Sequence, residues 1–203
     1  MASQYRDEFI KAAQKEIDDL TSKGAWIEDL KSNATVKIVP SQWVLKIKRT
    51  SDGSFLKAKG RVVVRGDLQE DTGEDYYSPV AAWPTVRTFL ILSIMLGWIT
   101  VSIDFNNAFI QSYLPKESPV WIHIPRGYKS SKGNEYCLRL IKSVYGIKSA
   151  PALWFKHSGD AFKKMGLKQS QFDECLWYGK DIMVVQYVDD CGISAPNQGV
   201  IDL

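Results

Sequence analysis

Tyr187-Val188-Asp189-Asp190 is preceded by the apolar run Ile182-Met183-Val184-Val185-Gln186 and followed by Cys191-Gly192-Ile193-Ser194. An extended run, a tight turn carrying two acids and a short return run read as a β-hairpin. The turn Gly179-Lys180-Asp181 joins the first run to Leu176-Trp177-Tyr178, a further strand. Two adjacent carboxylates repel each other, and a divalent cation relieves that repulsion. The same pair also suits a plain solvated loop tip, because Asp is common in turns. Both readings stay open on this stretch alone.

Around the hairpin lies a sequence of 203 residues, 45% hydrophobic and 24% charged. That is enough chain for one large domain or two small subdomains, and the composition excludes wholesale disorder. A net charge of +3 does not by itself announce a nucleic-acid partner. Its distribution says more. Lys46, Lys48, Arg49, Lys57, Lys59, Arg61 and Arg65 fall in one segment against a single acid, Asp52. Such an excess can hold phosphates, or it can be a solvated strand edge guarded by lysines. Three cysteines without CxxC spacing and two distant histidines speak against a zinc site and fit a reducing, intracellular compartment. The N-terminus has no signal-peptide pattern. The most apolar segment, from Phe89 through Met95 to Val101, is short and interrupted by Gly97, so no transmembrane helix is expected.

Working outward, Ser3 is the expected cap of a helix from Tyr5 to Leu20, with Phe9, Ala13, Ile17 and Leu20 as its apolar stripe and Gly24 as its stop. Trp26-Ile27 and Val36–Val39 read as short strands. Two β-rich runs, 43–49 and 55–65, flank Ser51-Asp52-Gly53-Ser54 and predict a second hairpin. Strand alternation puts Lys46 and Lys48 on one face of the first run. It puts Lys57, Lys59, Arg61 and Arg65 on one face of the second. Residues 66–78 read as a loop. Pro84 opens a helix that runs to Leu96. Trp98 to Phe105 reads as a buried strand ending at Asp104, an acid that needs solvent, a partner or a cation. Short strands follow at 120–124, where His123 faces outward without a catalytic role, and at 136–140. Pro151 starts a helix through Trp154, Phe155 and Phe162 to Met165. Flexible Gly146 beside Lys148, just before that helix, suits contact with a nucleotide or strand, and equally an ordinary loop entry. There is no P-loop and no nucleophile elbow.

Four blocks together resemble the reverse transcriptase of Ty1/copia-type LTR retrotransposons, over about residues 7–194. They are Pro40-Ser41-Gln42-Trp43-Val44 through Lys59-Gly60-Arg61-Val62-Val63-Val64-Arg65-Gly66 with Asp75 to Val80; Asp104-Phe105-Asn106-Asn107-Ala108-Phe109; Tyr145-Gly146-Ile147-Lys148-Ser149-Ala150-Pro151 with Trp154; and Tyr187 to Asp190. Four details depart from the family pattern: Ser149-Ala150-Pro151-Ala152 stands where Gln-Ala-Pro-Arg is usual, Lys59-Gly60-Arg61-Val62-Val63 where Lys-Ala-Arg-Leu-Val is usual, Gln111-Ser112 where a glycine often follows the aromatic-aliphatic pair, and Cys191 where an aliphatic is common.

The resemblance implies an α+β fold with the fingers and palm of a right-hand polymerase, the palm a sheet backed by helices on one face and the thumb absent. Residues 1–80 and 112–149 would be fingers, and 81–111 and 150–203 a palm cut short at its C-terminus. It implies an RNA- and DNA-directed DNA polymerase, a nucleotidyltransferase working with two Mg²⁺ ions or with Mn²⁺ in their place. Asp104, Asp189 and Asp190 would be the catalytic, metal-holding carboxylates, joined by the backbone carbonyl of Phe105. Phe109 would be the aromatic gate against ribonucleotides; without the motif it reads equally as a core aromatic. Tyr145, Gly146 and Lys148 would position nucleotide and template, and Arg61 with Lys59 would contact the triphosphate. The partners implied are a primer-template, deoxynucleoside triphosphates and a parent polyprotein with integrase, protease and RNase H, but no membrane. The expected place is intracellular: cytoplasmic, in a virus-like particle, or nuclear. The rival expectation is a truncated, inactive remnant that binds nucleic acid or a protein partner through the same fold.

Overall fold

The computed structural model describes residues 4–71, 73, 76–130 and 132–202. The expected cap Ser3 and the block residue Asp75 lie outside the described residues. In chain order the elements are α1 (Arg6–Ser22), β1 (Trp26–Leu30), β2 (Ser41–Arg49), β3 (Phe55–Val64), α2 (Trp83–Met95) and β4 (Ile99–Asp104). Then come β5 (Trp121–Ile122), β6 (Tyr136–Leu140), α3 (Ala150–Lys164), β7 (Lys168–Gln169), β8 (Leu176–Tyr178), β9 (Met183–Tyr187), β10 (Asp190–Ala195) and α4 (Gln198–Ile201). The described residues thus make a mixed α/β fold with four α-helices and antiparallel sheets. No helix among them is long and apolar enough to cross a membrane. The chain forms two compact units: Met1–Asp75 with Phe109–Ala150, and Tyr76–Ala108 with Pro151–Leu203.

In the first unit, α1 buries Ile17 and Leu20 and stops at Gly24, whose φ of +66° is the left-handed geometry that ends helices. β1, β6 and β5 make a three-stranded sheet in that order, and β2 and β3 make a separate two-stranded ribbon. Leu20, Trp26, Val62, Val64, Ile122 and Leu138 belong to one core that joins helix, sheet and ribbon. The strand expected at Val36–Val39 shrinks to a single bridge between Val39 and Ile122. Val39 donates to the Trp121 carbonyl and accepts from His123, and Pro40 then has no N–H with which to continue the ladder.

The second unit is a five-stranded antiparallel sheet in the order β4-β10-β9-β8-β7. Met183, Val184 and Val185 are apolar in succession, so β9 must be covered on both faces. On one face Phe162 of α3 joins Trp177, Val184 and Cys191. On the other, Phe89 of α2 packs with Val185, and a Cβ added at Gly192 would sit 3.2 Å from its ring. Helices therefore lie against both faces of this sheet, where the sequence reading expects them on one. The expected buried strand at 98–105 also differs. β4 is the edge strand of the sheet and alternates exposed and half-buried residues, because only β10 flanks it.

Candidate active site

β9 and β10 are joined by a two-residue turn, Val188-Asp189, closed by the pair Tyr187 and Asp190. β10 also pairs with β4, and there Asp190 stands directly opposite Asp104. Directly opposite residues of an antiparallel pair project their side chains to the same face, with Cα atoms about 4.5–5.5 Å apart. Like charges so placed are destabilising unless something of opposite sign joins them. Asp104 and Asp190 are exposed and Asp189 is half-buried. Asp104 thus escapes the cost of burial by lying on an edge strand. The Phe105 N–H donates to the Asp189 carbonyl at 2.9 Å, tying the strand end of β4 to the turn. Among the described residues no three His, Cys, Asp or Glu side chains form a group arranged to hold a metal ion. The fold pairs Asp104 with Asp190 and sets Asp189 in the adjoining turn without closing the three into one ligand set. Their donors are all hard carboxylate oxygens, the chemistry that suits Mg²⁺ or Mn²⁺.

Val188 has φ of +56°, which a β-branched residue adopts at a cost of about 1–3 kcal/mol. Two side chains offset that cost. The Trp154 Nε1–H donates to the Val188 carbonyl at 2.6 Å, and Gln186 Nε2 donates to the same oxygen at 3.1 Å. Each such bond contributes about 0.5–1.5 kcal/mol. Gln186 is 1% exposed and is itself held by the Ser158 hydroxyl, 2.8 Å from its Nε2. Nothing in the sequence reading singles out Gln186 or Ser158. The available signal is a lone glutamine inside an apolar run, which must find buried partners. Cys191, beside the acids, is no nucleophile: burial, followed by the charge of Asp190, pushes its thiol up to about 12. A cavity of about 770 Å³ opens on the face that carries Asp190 and Tyr187, and Trp83, Phe89 and Val185 line its apolar side.

The first unit gathers the predicted cations. In the ribbon, Lys46 stands opposite Lys59, Lys48 opposite Lys57 and Val44 opposite Arg61. The Arg61 guanidinium lies 4.4 Å from the centroid of the Tyr145 ring, a cation–π contact that fixes its position. Phe109 meets the same ring edge-on at 4.9 Å and packs against the core of the unit. Lys46, Lys48, Lys59, Arg61, Tyr145 and Gly146 line a cleft of about 340 Å³. Gly146 is required there. Its φ is +93°, and a Cβ would lie 2.1 Å from the Val64 carbonyl oxygen. This approach lets Val64 N–H donate to the Tyr145 carbonyl at 2.8 Å and clips the loop to β3. Lys148 lies outside the cleft lining; its backbone N–H donates to Gln69 Oε1 at 2.9 Å. Behind the ribbon, Glu16 of α1 accepts from Val62 N–H at 3.3 Å. Burial raises the Glu16 carboxyl above its usual value, against the pull of that hydrogen bond and the Arg61 charge. The predicted site residues therefore fall into two groups, one within each unit: the acids and Phe105 on and beside the sheet of the second, and Lys59 and Arg61 on the ribbon with Phe109, Tyr145, Gly146 and Lys148 outside it in the first.

The family model for reverse transcriptase (RNA-dependent DNA polymerase) matches residues 27–203. The chain belongs to the reverse transcriptase family. Its relatives are Pol polyproteins of Ty1/copia-type retrotransposons. A retrovirus-related Pol polyprotein from transposon TNT 1-94 of Nicotiana tabacum is 27% identical over 97% of this chain. The one from transposon RE2 of Arabidopsis thaliana is 33% identical over 77%. The Ty1-ER2 Gag-Pol polyprotein of Saccharomyces cerevisiae is 25% identical over 91%. The matched region of the chain spans 15%, 11% and 10% of those three relatives' lengths.

Proposed function

We propose that this chain carries the fingers and palm of an RNA- and DNA-directed DNA polymerase from a copia-like retroelement, with the first unit as fingers and the second as palm. The observation that carries the reading is the direct pairing of Asp190 with Asp104, with Asp189 in the adjoining turn. Two carboxylates face one another on an exposed face at the end of a rigid sheet, an arrangement suited to a ligand of concentrated positive charge. Asp104, Asp189 and Asp190, with the Phe105 carbonyl, would hold two Mg²⁺ ions or Mn²⁺ in their place. Such ions would supply the positive charge that favours ionisation of a primer 3′-hydroxyl and balances a leaving pyrophosphate.

The residues of the first unit have work of their own. Arg61 carries a planar fork of donors that matches phosphate oxygens, and Tyr145 holds it in place. Lys46, Lys48 and Lys59 add positive charge around the same cleft and would draw in a triphosphate. Gly146, exposed and without a side chain, leaves its backbone open to the nucleotide. Phe109, braced against Tyr145, would present an aromatic edge that excludes a 2′-hydroxyl. Lys148 would add a cation toward the template. The partners are then deoxynucleoside triphosphates and an RNA or DNA primer-template. As in the relatives, the chain would be one part of a Pol-type polyprotein acting inside the cell.

Primer extension on an RNA template, with deoxynucleotides and Mg²⁺ or Mn²⁺, tests this reading. The expected result is extension that the Asp189→Asn/Asp190→Asn chain loses. Extension retained by that variant would remove the acids from the chemistry. No extension by the parent chain, while it still binds a primer-template, would favour the inactive nucleic-acid-binding remnant.

A further inference from the structure

The turn that carries the acids is built from a residue unsuited to it. Val188 sits at φ of +56°, where glycine is at home and a β-branched residue is not. Every backbone oxygen in that turn is tied to something outside it. The Val188 carbonyl receives Trp154 Nε1–H at 2.6 Å and Gln186 Nε2–H at 3.1 Å. The Asp189 carbonyl receives Phe105 N–H at 2.9 Å. The Phe105 ring in turn stands edge-on to the Trp154 ring at 5.1 Å. Behind them Ser158, 3% exposed, binds Gln186 and also reaches the Trp154 carbonyl at 3.0 Å. Trp154 of α3, Gln186 of β9 and the Phe105 N–H at the end of β4 thus grip the turn through its carbonyls and leave the two carboxylates as its ungripped part.

Resting on the polymerase reading above, we propose that Trp154, with Gln186 and Ser158, is a latch that holds Val188 in its left-handed conformation and so aims Asp189 and Asp190 toward the face shared with Asp104. Trp154 is a positioning residue: it touches no reacting atom and acts through the Val188 carbonyl. The buried hydrogen-bond chain explains why a glutamine interrupts the apolar run of β9, which simple core packing does not. A side chain that only filled the core would give the same stability to any turn conformation. A latch on one carbonyl gives it only to the conformation in which that carbonyl points at the helix.

Trp154→Phe keeps a ring against Phe105 and removes the N–H. It is expected to raise the Mg²⁺ concentration for half-maximal nucleotide incorporation about fivefold, the effect of losing one ordinary hydrogen bond. The KM for deoxynucleotide should stay within about a factor of two, since the basic cleft is built from other residues. In a Val188→Gly background, where the left-handed turn needs no latch, the same substitution should have a much smaller effect. Ser158→Ala, a milder cut in the same chain, should move the Mg²⁺ dependence in the same direction by less, and it serves if Trp154→Phe does not fold. Backbone amide resonances of Asp189 and Asp190 in the full chain give a readout that needs no turnover. They should shift in Trp154→Phe and return toward the parent positions when Val188→Gly is added. An effect of equal size in both backgrounds, or amides of the acid turn that do not move, would overturn the latch. Loss of polymerase activity in the parent chain would sink the polymerase reading alone, because the resonances still decide whether the latch exists.

Discussion

In the ribbon of the first unit lysines stand opposite lysines, Lys46 against Lys59 and Lys48 against Lys57; in the sheet of the second, Asp190 stands opposite Asp104. Each region concentrates one sign of charge, and each is a hairpin, yet they are held in different ways. The ribbon's turn closes on local chemistry. Asp52 accepts from the hydroxyls of Thr50 and Ser54, which hold its carboxyl below the usual value, and Gly53 supplies a φ of +85°. The acid turn has only two residues and takes its partners from Trp154 of α3, Gln186 of β9 and the Phe105 N–H that follows β4. Lys46, Lys48 and Lys57 end long, exposed chains that can follow a ligand, and Lys59 is half-buried, whereas the carboxylates are short and two of them sit at or beside a strained turn. Under the proposed function this difference suits two tasks: cations on longer side chains would gather and orient phosphates, and acids on a tied turn would place a charge-neutralising site at one point in space.

The largest departure from this division would come from Phe109, an apolar residue in the basic unit. Phe109→Ala should relax discrimination against ribonucleotides by about tenfold or more, as when a packed apolar wall is removed from a binding site. Competing incorporation of deoxy- and ribonucleotides measures it, and the Mg²⁺ dependence, which the proposed function assigns to the acids, should not move. Unchanged sugar selectivity would leave Phe109 with a packing role alone.

A smaller effect tests how the acid-bearing unit is braced. Asp173 accepts from Ala82 N–H at 3.0 Å and from the Thr85 hydroxyl at 2.5 Å at the start of α2. Burial pushes its carboxyl up, but those bonds and the Cys175 N–H outweigh it and leave the carboxyl below its ordinary value. The folded form therefore binds its proton less readily than the unfolded chain. Its contribution is complete above the ordinary carboxyl range and lost as pH falls through the depressed folded value. Asp173→Asn should cost about 1–2 kcal/mol near neutral pH. The difference from the parent should shrink in acid, as followed by urea denaturation across pH. A penalty that stays constant with pH would show that the charge plays no part.

Much of this was legible in the sequence because it is local. The apolar run before Tyr187, the Asp52-Gly53 turn and the glycine stop at Gly24 each declare their structure within a few residues. The acid pair at 189–190 likewise showed its turn. What could not be read was tertiary. That Asp190 faces Asp104 depends on β10 lying between β9 and β4, and no spacing encodes that order. The exposure of β4 follows from its edge position, while its composition is that of a buried strand. Trp154, Gln186 and Ser158 meet only when α3 lies on the sheet, so their shared target at Val188 has no sequence signature.

The measurement that tests the division of labour most directly is single-turnover incorporation of one deoxynucleotide, comparing Arg61→Ala with Asp104→Asn. Nucleotide concentration is varied so that apparent affinity and maximal rate are separated. Arg61→Ala should weaken nucleotide affinity about tenfold and leave most of the rate, the loss of a charge-assisted phosphate contact. Asp104→Asn should lower the maximal rate at least about a hundredfold while affinity stays near that of the parent. The opposite assignment, or equal loss of both parameters in both variants, would contradict the account.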